Sequence, residues 1–571
     1  MRYWPRGVWF RWRRLAMRQF KRTNLRRLTH VEAKIELEQA SRIFGCGILQ
    51  LAPKEGGHFR SIHNLATIPS PAAALGQKAA VNGSVKPLFN YLTALCRRLP
   101  SLHGTSVAGL SQAHHRWRCF VAELRTGCHA LGRRGSPELY WISTDISNCY
   151  DTIDQLSEQV DFTLGCLGSD CLIARSNTEV YTANEHPDAK MRLHTLAQSS
   201  KSTLLREQQW QPLASRSRVL SLLRQHIFSN LVWIDGHFYR QTQGIPQGSI
   251  ASTMLCNLHY GALDLAYLSR YLPWALEDLA REETADREHS SPHVTADRAP
   301  NPTQPAACVS GATMQLRLVD DCLQVSSSAS EASRLLSRMK RGFPEHGHST
   351  NASKLRDSSS AANLPSDGYG NRWFPWCGWL VHTATCEVMP DYSRASKQHS
   401  RRRRLTPLSA RELVDKMSRG LKPKLHHVFL DPHLNSPITV RRNVFHAFLH
   451  TLSLSANLNK SAIASHKPAV SAEAFQHLIE LAAQISLSHQ RTAAGLPPRN
   501  TAAPRHLLAQ SEVSWLGYEA LQDFGAAHGL RHIISWACCC QERVQQRLTT
   551  ALVRMLHQAC DARGFVLSCR D

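Results

Sequence analysis

Two apolar segments that run into aspartates, with a glycine-rich loop between them, constrain this chain more than any other feature. The first, Leu139-Tyr140-Trp141-Ile142, leads to Asp145-Ile146-Ser147-Asn148-Cys149-Tyr150-Asp151. The second, Leu316-Arg317-Leu318-Val319, leads to Asp320-Asp321 and is followed by the apolar stretch Leu323–Val325. Short runs rich in branched and aromatic residues and bounded by turn residues read as strands. Folded side by side, these strands bring Asp145 and Asp320 to one end of a sheet. In between, Gln243-Gly244-Ile245-Pro246-Gln247-Gly248-Ser249 reads as a tight, exposed turn into a helix, with glycine permitting close backbone approach.

Taken singly, each motif has an ordinary explanation. Asp145 suits a helix N-cap, and Asp320-Asp321 suits a solvated hairpin turn. A generic Gly-Pro loop, however, does not require a glutamine before each glycine, and the three motifs occur in order. Transfer of a nucleotidyl group needs two divalent ions close together, held by hard oxygen ligands. Carboxylates at the ends of adjacent strands supply those ligands, while backbone at a glycine can lie against a base pair or template strand.

Composition agrees. The 571 residues are long enough for several domains with full cores. A formal net charge of +24 and a pI near 9.7 favour a polyanionic partner, most simply nucleic acid. The 17 cysteines are odd in number and include no Cys-x-x-Cys pair, which points to a reducing compartment without a structural zinc. No segment approaches the roughly 18 apolar residues of a membrane span, and the basic, aromatic start lacks the apolar core of a secretory signal. The expectation is a soluble, intracellular protein without a membrane partner.

Residues 1–30 interleave arginines with Trp4, Trp9, Phe10, Trp12 and Phe20. This mixture suits a single-stranded or hybrid nucleic acid, and equally an amphipathic helix with a solvated basic face. Ile48–Pro53 and Phe59–Ile62 read as a hairpin carrying Lys54 and Arg60. Two helical patterns follow between about 86 and 126. Residues 281–313 have the composition of a disordered insertion. Beyond about 408 the pattern is helical, with core stripes at Val440, Val444, Phe445, Phe448, Leu449 and Leu452 and at Phe475, Leu478, Ile479, Ala482 and Ile485. Arg401–Arg404 suits a nuclear localisation signal, a phosphate-binding run or a plain solvated one.

The motifs LYWISTDISNCYDTI, QTQGIPQGSIASTMLCNLHYG and LRLVDDCLQV, followed by RGFPEHGHSTNASK and FPWCGWLVHTATCEVMPDYS, resemble the catalytic part of telomerase reverse transcriptase. YWPRGVWFRWRR resembles the end of that family's motif preceding the fingers, residues 85–126 its insertion in the fingers, and KPKLHHVFLDPHLNS its C-terminal thumb extension. The likeness is weakest at 154–220, at 281–313 and beyond about 455. It implies an α+β right-hand polymerase. Residues 1–30 would end an RNA-binding region, 31–138 form fingers with an insertion at about 75–135, 139–400 form the palm, and 401–571 form a helical thumb.

The resemblance further implies that Asp145, Asp320 and Asp321 hold two Mg²⁺ ions, with Mn²⁺ as an alternative and the Ile146 carbonyl as a further ligand. Lys54 and Arg60 would bind the triphosphate, Tyr150 would lie under the incoming sugar, and Gln247 and Gly248 would contact the template–nucleotide pair. Asn351 and Lys354 match an Asn-x-x-Lys motif, Lys354 assisting the leaving group and Asn351 lying beside the nucleotide. Trp376, Cys377 and Gly378 correspond to a primer grip. Implied partners are the telomerase RNA, a single-stranded telomeric primer, their hybrid, dNTPs and accessory telomere proteins, in the nucleus at chromosome ends. The chain departs from the family in three places. One extra residue separates Lys54 from Arg60, Ser61 stands where proline is expected, and Ser143 stands where animal members lead one to expect lysine. The family's RNA-binding and N-terminal domains would precede Tyr3. A retroelement reverse transcriptase and a non-catalytic nucleic-acid scaffold are the competing readings.

Overall fold

The computed structural model describes residues 6–39, 42, 44–53, 59–75, 80–98, 103–130, 137–153, 173–175, 180–182, 216–268, 312–344, 347–358, 364–367, 370–392, 410–465, 468–493 and 507–561. Lys54, Arg401–Arg404 and residues 281–311 of the expected insertion lie outside them. Thr313, read as the end of that insertion, instead opens a strand.

In chain order the strands are β1 (Leu25–Leu28), β2 (Cys46–Pro53), β3 (Phe59–Asn64), β4 (Tyr140–Asp145), β5 (Ile173–Arg175), β6 (Val180–Thr182), β7 (Leu231–Ile234), β8 (His237–Gln241), β9 (Thr313–Leu318), β10 (Asp321–Ser326), β11 (Arg356–Asp357), β12 (Trp373–Trp376), β13 (Trp379–His382) and β14 (Val388–Pro390). The mainly antiparallel sheets and segregated helices make the fold α+β. β2 and β3 pair as the sequence suggests, but within a larger sheet of order β1-β8-β7-β2-β3. The parallel β2–β7 pairing closes that sheet across some 180 residues, Cys46 opposite Leu231. The sheet thus draws on segments from three of the four sequence divisions.

The second sheet, of order β11-β4-β10-β9, carries both aspartate motifs. β4 is buried on both faces from Trp141 to Asp145 because it lies inside the sheet. That explains why its sequence shows an apolar run rather than alternation. On one face Trp141, Leu316, Leu323 and Val325 pack against Trp117, Phe120 and Val121 of the helix Leu110–Ala130, and against Trp376 and Trp379 of the sheet β12-β13-β14. On the other, Ile142 meets Leu335, Met339 and Phe343. The helix Ala329–Arg341 that supplies two of these is capped by Ser328, whose side chain accepts from Glu331 N, and ends at Gly342 with φ 71°.

The C-terminal helices bury both predicted stripes in one core, with Ile485 at its edge. The crossing is close: a Cβ at Gly517 would lie 2.7 Å from Ile479 and 3.2 Å from Phe448. This helical unit docks on β14, where Asn435 accepts from Val388 N at 2.7 Å and Asn443 donates to Val388 O at 2.9 Å. It also meets the helix Leu110–Ala130 through His114 and Asp431, 2.7 Å apart. Among the described residues no helix is long and apolar enough to cross a membrane.

Candidate active site

The register of β4 on β10 sets Asp145 directly opposite Asp321. Asp320 sits one residue earlier, in the two-residue turn between β9 and β10. Carboxylate oxygens of Asp145, Asp320 and Asp321 all lie within 4.8 Å of one another. Among the described residues this is the one cluster of three or more such groups spaced to hold a metal ion. The donors are all hard oxygens, which fits a divalent cation of the magnesium or manganese kind rather than a thiolate-loving one. Backbone bonds frame the site: Ile146 N donates to Asp320 O at 3.1 Å, Asn351 N to Asp145 O at 2.8 Å, and Ser147 N to Ser349 O at 2.8 Å. None of these bonds uses the Ile146 carbonyl.

Burial, together with the neighbouring Asp145 and Asp321 charges, pushes Asp320 up to about 6. Without metal the fold therefore holds this proton more tightly than the unfolded chain does. The group's contribution to stability is present at low pH and is lost as pH rises from about 4 to 6. A metal needs the carboxylate free, so the linkage runs the other way for binding. Mn²⁺ affinity is expected to be constant above about pH 6.5 and to fall toward about tenfold per pH unit below 6. Titrations at pH 5 and pH 7 check this, and equal affinities would contradict it.

Lys354 Nζ lies 2.9 Å from Asp145 Oδ2. The Asn351 side chain accepts from Ser353 N at 3.1 Å and Ser353 Oγ at 2.7 Å, so it shapes the turn that presents Lys354. Cys377 and Gly378 form the two-residue turn between β12 and β13, with φ 45° and 86°, as such hairpin turns require. That turn reaches the triad: Cys377 Sγ is 3.6 Å from Asp321 Oδ2. Trp376, by contrast, is 3 % exposed and packs edge-on to Trp379, so it serves the core and anchors the turn.

The loop after β8 is bonded to the segment that follows Asp145. Gly244 N donates to Ile153 O at 3.0 Å and Ile245 N to Tyr150 O at 2.8 Å. A Cβ at Gly244 would meet Tyr150 O at 2.6 Å. Gly244, Ile245 and Pro246 are therefore buried, contrary to the exposed turn expected from sequence, while Gly248 remains exposed and Gln247 half-exposed. The far side of the loop is bonded to β3, where His63 N donates to Gln247 O at 2.7 Å. Tyr150 OH lies 3.3 Å from Thr253 Oγ1 on the helix Ser252–Leu268. Burial pushes its phenol well above the usual range, so it stays neutral. Arg60 is exposed on β3.

Three residues without an assigned role in the sequence reading hold these parts together. Ser61, at the position where proline was expected, donates to Asp151 Oδ1 at 2.8 Å. Asn82 donates to Gly248 O at 3.2 Å and accepts from Ile250 N at 3.3 Å, which ties the helix Val81–Arg98 to the loop. His348 lies 2.7 Å from His259 Nε2 and 3.1 Å from Thr152 Oγ1. A Ser, an Asn or a His in a polar stretch carries no periodic or spacing signal that would have singled it out.

A sheet end with three converging aspartates, a glycine loop bonded to it, a hairpin turn against the triad and a helical unit beyond define a right-hand polymerase fold. The chain is similar to telomerase reverse transcriptase, as its motifs suggested. It is 28% identical over 480 residues to that protein of Bos taurus, covering 78% of this chain and 38% of the relative. Against that of Canis lupus familiaris it is 27% identical over 481 residues, covering 78% and 39%. The solved telomerase of Candida albicans with a TWJ fragment of telomeric RNA shares the fold, with TM-score 0.58 and 15% identity over 94% of this chain and 71% of that one. No family model matches the chain. The chain spans well under half the length of the mammalian relatives it matches.

Proposed function

We propose that the chain is the catalytic portion of a telomerase, an RNA-directed DNA polymerase that extends a single-stranded telomeric 3′ end by copying an RNA subunit. The observation that carries this reading is the convergence of Asp145, Asp320 and Asp321 within 4.8 Å at the sheet end to which the Gln243–Ser249 loop is joined. When bound, two Mg²⁺ ions supply activation of the primer 3′-hydroxyl and neutralise charge on the departing pyrophosphate. Asp145, Asp320 and Asp321 hold them, with the Ile146 carbonyl as a further ligand and Mn²⁺ as a substitute ion.

In this reading Lys354, already beside Asp145, donates a proton or hydrogen bond to the pyrophosphate. Lys54 and Arg60 bind the triphosphate, where positive charge offsets the charge that builds on the leaving group. Tyr150 lies beneath the sugar and, as a neutral, held ring, collides with a 2′-hydroxyl. Gln247 and Gly248 contact the template–nucleotide pair, and Asn351 shapes the nucleotide side of the site. Cys377 and Gly378 grip the primer end, steadied by Trp376. The RNA subunit, the chromosome end, their hybrid and accessory telomere proteins are the partners, in the nucleus at telomeres. The excess of positive charge suits them.

The intact triad disfavours a non-catalytic scaffold, and the likeness to telomerase in sequence and fold disfavours a retroelement enzyme. The test supplies the full chain with a preannealed RNA–DNA hybrid, Mg²⁺ and either dNTPs or rNTPs. The reading expects primer extension and pyrophosphate release with dNTPs, little with rNTPs, and none after chelation. A folded chain that extends no primer would count against it.

A further inference from the structure

β9 alternates in an unusual way. Met314 and Leu316 face the apolar core, while Thr313, Gln315 and Arg317 on the other face are polar and also buried. Arg317 is 0 % exposed, and a buried guanidinium is costly unless nearly every donor finds a partner. Here the partners are found. Nε donates to Asp264 Oδ2 at 3.0 Å, Nη1 to Val319 O at 3.1 Å, and Nη2 to His103 O at 3.2 Å and Asn257 O at 3.4 Å. Asp264, near the end of the helix Ser252–Leu268, also accepts from Thr105 N at 3.1 Å and Thr105 Oγ1 at 2.7 Å. The main chain joins in, because Arg317 N donates to Thr105 O at 3.0 Å and Val107 N to Arg317 O at 2.8 Å.

The acceptor Val319 O matters most. Val319 has φ 61°, a conformation that a β-branched residue adopts only under strain. It occupies the first position of the turn whose second residue is Asp320. The strained peptide that aims Asp320 is thus held by a guanidinium fixed in turn by the helix that follows the glycine loop. We propose that Arg317 and Asp264 are a positioning pair that sets the Asp320-Asp321 turn for metal binding and couples it to the helix after that loop. The inference rests on the polymerase reading, and it assigns neither residue a contact with substrate.

The test measures Mn²⁺ binding to the full chain by electron paramagnetic resonance, which needs no turnover, together with the Mn²⁺ concentration for half-maximal primer extension. Arg317→Lys keeps the charge but cannot reach Asp264 and Val319 O together. Asp264→Asn keeps the shape but removes the charge. Each variant is expected to weaken Mn²⁺ binding by about tenfold and to raise the half-maximal concentration by a similar factor, with the primer KM unchanged, while Asp264→Glu restores most of the affinity lost in Asp264→Asn. Lower thermal midpoints with wild-type Mn²⁺ affinity would overturn the proposal and leave a purely structural pair. If Arg317→Lys does not fold, Thr105→Val removes the hydroxyl on Asp264 together with the bond it accepts from Gln315 Nε2 at 3.2 Å; about threefold weaker binding is then expected, and unchanged binding overturns the idea. Asp145→Ala serves as the control. If it binds Mn²⁺ like the wild type, the polymerase reading itself fails.

Discussion

Asp145→Ala is expected to lower nucleotide addition by on the order of 10³-fold or more, about 4 kcal/mol of transition-state stabilisation. The carboxylate is one of three that converge within 4.8 Å, and the strand ends offer the metal pair no substitute side chain at that register position. The same variant should fold normally. Asp145 faces two like charges, and its ion-pair partner among the described residues, Lys354, is largely solvent-accessible. Removing the carboxylate strands no buried cation and relieves repulsion on Asp320, so the thermal midpoint should stay level or rise. Activity lost at an undiminished midpoint separates chemistry from folding. A folded Asp145→Ala enzyme with near wild-type rates would remove this aspartate from the mechanism.

Gly248→Ala is expected to have the second largest effect. Gly248 has φ 126°, and a Cβ there would lie 2.2 Å from His63 O, an atom of the main chain that cannot swing aside. β3 and the loop would have to separate, breaking the bond from His63 N to Gln247 O. His63 is buried, its imidazole held neutral by burial at about 3, so a freed N–H there is not easily resolvated. Backbone strain and the lost bond together cost about 3 kcal/mol. The loop also carries Gln247 and joins Tyr150, so a shift of about 1 Å is expected to cut the rate about 10²-fold, mostly through KM for the incoming nucleotide. Thermal denaturation and steady-state kinetics on dNTPs read both. Gly236→Ala, in the turn between β7 and β8, is the matching control: Gly236 has φ 90° and a Cβ there would meet nothing within 4 Å, so it carries the positive-φ penalty without the clash.

The parts of this site that were legible in the sequence are those whose function fixes residue type at a strand end. Asp145, Asp320 and Asp321 follow apolar runs, and a run ending in acid is visible without any knowledge of partners. The helical stripes at Val440–Leu452 and Phe475–Ile485 were legible for the same reason, since a 3.6-residue period is a local property. What the sequence hid is what covers each face. Gln315 and Arg317 alternate with apolar residues as a solvent-facing edge would, yet the segment 103–107 and the helix Ser252–Leu268 close over them. Gly244–Pro246 read as an exposed turn, but pairing with Tyr150 and Ile153 buries it. Trp376 sits in a motif implied to hold primer, and its neighbour Cys377 lies at the triad while its own ring fills the core. Pairings such as Cys46 with Leu231 join segments too far apart for any local pattern to report.

The claim that orders the rest is that the triad and the loop copy RNA into DNA. Its most direct test presents the full chain with two preannealed hybrids that differ only in the first unpaired base of the RNA, in the presence of Mg²⁺ and all four dNTPs. The account predicts that the first nucleotide added is complementary to that base in each case, switching when the base is switched. Addition of the same nucleotide to both hybrids, or to neither, would contradict it.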